Sequence, residues 1–98
     1  MLDYSLDVLA WAEERNLVEG STPQMQFHKL IQECGELSDD MCKGKDVRSE
    51  FGDVLVVLII MAAQLDTTFE ECLKVAYHKI KDRKGEMRDG ILVKQEDV

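Results

Sequence analysis

The sequence predicts an all-α domain, and three observations carry that prediction. Turn-forming residues are scarce: six glycines and one proline, Pro23, in 98 residues, with 6% aromatics. Apolar residues recur at helical spacing rather than in alternation. The breaks in that spacing fall at residues that start or stop helices. A chain of 98 residues makes one domain spanning 1–98. It buries only a modest share of its surface, yet 45% of its residues are hydrophobic. The expected architecture is therefore a four-helix all-α bundle completed by oligomerisation, with a short C-terminal tail or hairpin.

The first helix is expected over about residues 3–16, with Leu2, Leu6, Leu9, Ala10 and Leu17 on one face. Val18-Glu19-Gly20-Ser21-Thr22-Pro23 breaks it. Thr22 caps a second helix over 23–43, and Pro23 takes its first position, where a missing N–H is harmless. Gly44 stops that helix. Asp46 is expected to cap a third helix over 46–65. Asp66-Thr67-Thr68 opens a fourth over 68–84, through a capping box of Thr67 with Glu70 or Thr68 with Glu71. In the tail, 85–98, Asp89-Gly90 sits between Met87 and Ile91-Leu92-Val93, the pattern of a turn or small hairpin.

Composition excludes several classes. The formal net charge is −8, with 20 acidic against 12 basic residues, so no basic excess exists to replace the counterions of a nucleic acid. The longest apolar run, Val54 to Ala63, is about half of what a bilayer span needs. Cys34, Cys42 and Cys72 are odd in number and form no C-x-x-C, which fits reduced, small apolar residues in a cytoplasmic protein. Asp3 and Asp7 are out of place in a secretory signal.

Two strings share one pattern: Glu33-Cys34-Gly35-Glu36 and Glu50-Phe51-Gly52-Asp53. Each places two carboxylates three residues apart with a glycine before the second acid. Leu30, Cys34, Leu37 and Met41 form the expected core seam of the second helix, and Gln26, Lys29, Glu33, Glu36 and Asp40 a border stripe about a quarter turn away. In the third helix the stripe of Glu50 and Asp53 turns apolar within one turn. Val54–Ala63 is apolar all round and is expected to be buried on all sides, so Glu50 and Asp53 point at the mouth of an interior. Unpaired carboxylates there protonate or find cations. Mg²⁺ suits such hard oxygen donors. Gly35 and Gly52 each cost about 1 kcal/mol in a helix and are expected to mark close helix approach. His28 falls on the far side of its helix from the acids. Lys79 and Arg83, one turn apart, share the stripe of Cys72 and Ala76, where they can clasp phosphate oxygens.

Gln26-Phe27-His28-Lys29-Leu30-Ile31-Gln32-Glu33-Cys34-Gly35-Glu36-Leu37 resembles the first motif of the MazG-like all-α nucleoside triphosphate pyrophosphohydrolases. Glu50-Phe51-Gly52-Asp53-Val54 resembles their second, and Lys79 to Met87 the basic segment that follows in many short members. Two details differ. Gln32 stands where many members carry an acid, and Tyr77-His78 stand just before Lys79, where many relatives have an asparagine.

The resemblance covers roughly residues 5 to 93. It implies Mg²⁺-dependent hydrolysis of a nucleoside or deoxynucleoside triphosphate to the monophosphate and pyrophosphate, with Mn²⁺ as an alternative ion. It also implies a homodimer or homotetramer. On this reading Glu33, Glu36, Glu50 and Asp53 hold the metal, Glu33 or Glu36 serves the attacking water, and Lys29, Lys79 and Arg83 hold the phosphates. The alternative reading is a helical dimer that binds nucleotides or another protein without turnover.

Overall fold

The computed structural model describes residues 4–95. Leu2 and Asp3, at the expected start of the first helix, and the end of the tail lie outside them. The chain is all-α with one small hairpin: α1 (Tyr4–Glu14), α2 (Pro23–Cys42), α3 (Arg48–Gln64), α4 (Phe69–Ile80), β1 (Gly85–Arg88) and β2 (Ile91–Lys94).

Helix starts follow their caps. Thr22 accepts from the Met25 N–H at 3.1 Å with Pro23 behind it, and Thr68 accepts from the Glu71 N–H at 3.0 Å. Asp46 is not the cap of α3. Val47 takes that position, and the Asp46 carboxylate instead binds the Arg48 N–H at 3.0 Å and its guanidinium at 2.6 Å. This local clasp delays the helix by one residue.

Three helices end in the same way. Gly44 (φ 69°) follows α2, and its N–H and that of Lys45 return to the carbonyls of Met41 and Asp40. Asn16 (φ 58°) and Asp66 (φ 59°) repeat the arrangement after α1 and α3: Asn16 and Leu17 donate to Glu13 and Ala12, Asp66 and Thr67 to Ala63 and Ala62. Each left-handed residue reverses the chain and returns two N–H groups to otherwise unpaired carbonyls. These stops make α1 and α3 slightly shorter than expected. Helix α4 also ends early, at Ile80, because Gly85 opens a hairpin rather than closing the helix. A Cβ at Gly85 would overlap the Val93 carbonyl. Asp89 and Gly90 turn the hairpin with φ of 51° and 83°, and Glu86 pairs with Val93 and Met87 with Leu92.

Helix α3 is the centre. It packs against α2 on one side and α1 on the other, and its Val57, Ile60 and Ala62 are buried, as is Ala12 of α1. Gln64 ties its C-terminal end to the α1–α2 loop, donating to the Val18 carbonyl at 3.2 Å. After Asp66 the chain turns through 96°, so α4 leaves the other helices and packs only lightly on α3. No single helix among the described residues is long and apolar enough to cross a membrane.

Three burial expectations are corrected. In α1, Leu6 and Ala10 of the expected face are exposed, and Ser5, Val8, Leu9 and Ala12 turn inward. Val54–Ala63 is not enclosed within one chain: two helices cover part of its circumference, and Leu55 is exposed. In α2 the line facing α3 is Gln26, Leu30, Glu33, Leu37 and Asp40, and Glu33 is the most buried residue of the helix, at 6% exposure. Cys34 and Met41 of the expected seam are exposed, together with Phe27 and Ile31. The other two cysteines, Cys42 and Cys72, are also free and exposed. The result is an open molecule. Its radius of gyration is 16.2 Å, against about 13 Å for a compact domain of this length. Its accessible surface is 7581 Å², against about 5,700 Å² for a compact monomer of its mass.

Candidate metal centre

The 3–4 spacing that puts Glu33 on the α3-facing line of α2 also brings it opposite the first two turns of α3, where Glu50 and Asp53 stand. One carboxylate oxygen from each of Glu33, Glu50 and Asp53 lies within 4.8 Å of the others. Oxygens that share one hard cation lie within about 4–5 Å of one another, so these three residues could hold a single ion. Glu36 lies beside Glu33 at the exposed rim of the group.

The cluster is short of positive charge. Lys29 Nζ lies 3.2 Å from Glu33 Oε1, one turn back on α2. Glu33 Oε2 and Glu50 Oε2 are enclosed without a hydrogen-bond partner. They face other carboxylates, so acceptor meets acceptor, and only a proton or a cation between them satisfies both.

The acidities record that shortage. Burial, then the Glu33 carboxylate and the charges of Glu36 and Asp53, push Glu50 up to about 7. The location of Glu50 in the first turn of α3, at the positive end of the helix dipole, does not offset this. Glu36 is raised by its contact with Glu33 and by that residue's charge. Glu33 goes the other way. Burial would raise it, but hydrogen bonds with Glu36, Lys29 and Glu50 and the Lys29 charge hold it below the ordinary carboxylate range. Glu33 is the fixed anion, and Glu50, raised to about 7, carries a proton that a cation would displace.

Gly35 and Gly52 do not mark a close helix approach. A Cβ at either position would meet no atom within 4 Å. Each faces open space instead.

Lys79, in the last turn of α4, and Arg83, beyond its end, are exposed. Neither is among the charges acting on Glu33, Glu36 or Glu50. Because α4 diverges, the chain on its own does not bring these cations to the acids.

Asp53 also forms one wall of a cleft between α1 and α3. Tyr4, Asp7, Val8, Trp11 and Val56 complete a volume of about 380 Å³. The spacing of α1 gives no sign of this cleft. Its one chemical signal in the sequence is Trp11, the chain's only tryptophan.

Paired acids on consecutive helices, facing each other across a cation-sized gap, are matched by a family model. The model of the MazG nucleotide pyrophosphohydrolase domain matches residues 21–87. The chain belongs to this family. The MazG match takes in α2, α3 and α4 with all four acids, Lys29, Lys79 and Arg83, and leaves α1 outside. Over 65 residues the chain is 48% identical to an uncharacterized 18.2 kDa protein of the rep-hol intergenic region of Haemophilus phage HP1 (strain HP1c1). The aligned stretch is 62% of this chain and 40% of that protein, so the MazG domain described here spans less than half of its relative. No solved structure matches the chain.

Proposed function

We propose that the chain hydrolyses a nucleoside or deoxynucleoside triphosphate to the monophosphate and pyrophosphate, with Mg²⁺ at the acid cluster and Mn²⁺ as a substitute. The observation that carries this reading is the convergence of Glu33, Glu50 and Asp53 oxygens within 4.8 Å, two carboxylates of which have an enclosed oxygen without a partner. Those three residues would hold the ion, with Glu36 at the rim. Bound there, the metal supplies neutralising charge for the triphosphate and a lower pKa for a nearby water.

The chain's own groups do the rest. Glu36 is exposed to the incoming water and is raised by Glu33, which suits it to accept a proton nearer neutrality. Water attacks the α-phosphorus, the α–β phosphoanhydride bond breaks, and pyrophosphate leaves. Lys29 steadies Glu33 and reaches the phosphates from one turn back on α2.

Lys79 and Arg83 reach an acid cluster only if a second copy packs against the first. The surface excess supports such a copy: about 1,900 Å² per chain beyond a compact monomer, or about 3,800 Å² per pair, within the range of obligate homodimers. The uncharged outer line of α2, Phe27, Ile31, Cys34 and Met41, is suited to that contact.

The test is product analysis. Incubation with a panel of NTPs and dNTPs and Mg²⁺ is expected to yield monophosphate and pyrophosphate in equal amounts. Diphosphate with orthophosphate would reject the reaction class. Binding with Mg²⁺-dependent thermal protection but no products would favour a nucleotide-binding role without turnover.

A further inference from the structure

We propose that the hairpin of β1 and β2 is an arm that seats in an apolar groove between α3 and α4 of a second copy of this chain. The proposal rests on the second copy of the reading above, not on its chemistry, and names the contact that would bring Lys79 and Arg83 across.

The groove is the first argument. Leu58, Met61 and Leu65 from the α3 side and Phe69, Leu73 and Ala76 of α4 line a volume of about 380 Å³ in the angle between the two helices. The 96° turn holds it open and leaves Leu65 and Leu73 exposed. The chain's own hairpin does not fill it: among the described residues, none beyond Ala76 lines it. Exposed apolar concavities of this kind mark sites where a partner binds.

The arm is the second. Gln95 donates its N–H to the Lys84 carbonyl at 2.7 Å and closes the base of the hairpin. The register gives the two faces different characters. On one, Arg88 meets Glu86 at 3.1 Å beside Ile91 and the half-buried Val93. On the other, Met87 and Leu92 stand opposite each other, 65% and 51% exposed, with no acid on that face. A two-stranded hairpin alone is marginally stable in water. This one gains little cover from its own helices, since Val93 is its one strand residue that is even half-buried. Two adjoining apolar side chains on a preformed hairpin are the kind of anchor that such a groove takes.

Charge decides the occupant. Residues 49–73, which supply most of the groove, carry five acids and no base. Residues 79–94 carry six bases and three acids. The arm therefore complements the groove of its own sequence, and attraction between unlike charges orients the approach. Each chain has one arm and one groove, so two copies related by a twofold axis exchange arms and leave neither surface open. The outer line of α2 lies on a different helix and stays free for a further contact. Arg83 stands four residues before Met87, and Leu58 five residues after Asp53, about 8 Å along α3. A seated arm thus carries Lys79 and Arg83 toward the helix that bears the second copy's Glu50 and Asp53.

Cys72 stands in the groove wall and reports on it. In a Cys34→Ser/Cys42→Ser background it is the sole native thiol. Leu92→Cys is added, and the full chain is oxidised with diamide, which takes one hydrogen from each thiol as the disulfide forms. A two-chain band on a non-reducing gel is expected, with position 72 of one copy joined to position 92 of the other by peptide mass mapping. Without Leu92→Cys the band is expected to be lost. A second readout needs no added thiol. In the same background, Met87→Asp with Leu92→Asp is expected to speed maleimide labelling of Cys72 about 30-fold or more, the loss of a docked anchor, with helix content by circular dichroism unchanged. A cross-link confined to one chain overturns the proposal, as does labelling that the arm variant leaves unchanged. Sedimentation separates the two readings. A monomer removes the second copy altogether, whereas an assembly of two or more chains without that cross-link removes the arm alone.

Discussion

On the proposed metal reading, proton and metal compete for Glu50, and that competition fixes how Mg²⁺ affinity depends on pH. Native Glu50 titrates near 7, against an ordinary value of 4.5. In the metal-free protein it therefore keeps its proton where the unfolded carboxylate has lost it. Its contribution to stability is fully present below the unfolded value and is lost as pH rises through about 7. A metal ligand must be deprotonated, so Mg²⁺ binds the form that the proton opposes. With a pKa of about 7, roughly nine-tenths of the sites have Glu50 ionised at pH 8 and about one-tenth at pH 6. Apparent Mg²⁺ affinity is expected to fall about tenfold between those values, and further if the raised Glu36 adds its own proton.

The assay is thermal unfolding at pH 8 and pH 6 with and without Mg²⁺, at one ion concentration. At about 100 times the dissociation constant at pH 8, binding adds about 2.7 kcal/mol, or about 11–22 °C for a domain of this size. At pH 6 the same concentration is only about ten times the constant and adds about 1.4 kcal/mol, roughly half the shift in Tm. Glu50→Gln removes both competitors. That variant is expected to lose most of the Mg²⁺ effect and its pH dependence, while its metal-free form at pH 8 is no less stable than the native protein. Equal Mg²⁺ protection at pH 6 and pH 8 in the native chain would refute the placement of Glu50 in the metal's coordination. So would an undiminished effect in Glu50→Gln.

Asp53→Asn and Glu36→Gln are expected to lower kcat/KM by more than about 100-fold with the fold intact by circular dichroism; native rates would reject their roles. Gly35→Ala and Gly52→Ala meet open space, so each is expected to raise stability by about 1 kcal/mol, measured by melting. Gly44→Ala forces a side chain into a left-handed position and is expected to cost about 1–2 kcal/mol, read as a drop in the urea midpoint. Sedimentation at micromolar concentration is expected to give a mass of at least two chains, and a stable monomer would leave the outer face of α2 without its cover.

The parts of this structure that were legible in the sequence are those set by neighbours in the chain. Thr22-Pro23 and Thr68 start their helices because a side-chain oxygen and an N–H a few residues on suffice to define a cap. Gly44 reads as a stop, yet Asn16 and Asp66 do the same work and carry no glycine signal. The two spaced acid pairs stand out for the same local reason, and the structure brings together one oxygen each of Glu33, Glu50 and Asp53, with Glu36 at the rim. What could not be read was the direction each face would point. That depends on contacts between elements far apart in the chain, and for Lys79 and Arg83 on a helix that turns through 96° away from the site.

The rotation of α2 is the clearest case. Apolar matching alone would turn Cys34 and Met41 toward α3. The chain turns Glu33 there and leaves Phe27, Ile31, Cys34 and Met41 outside. A buried carboxylate opposite two others is a poor helix seam. It becomes a good one when Lys29 and a divalent cation neutralise it and when another surface covers the apolar edge. On the proposed metal site and second copy, both favour this orientation of α2, and a sequence reading that ranks faces by apolarity within one chain inverts it.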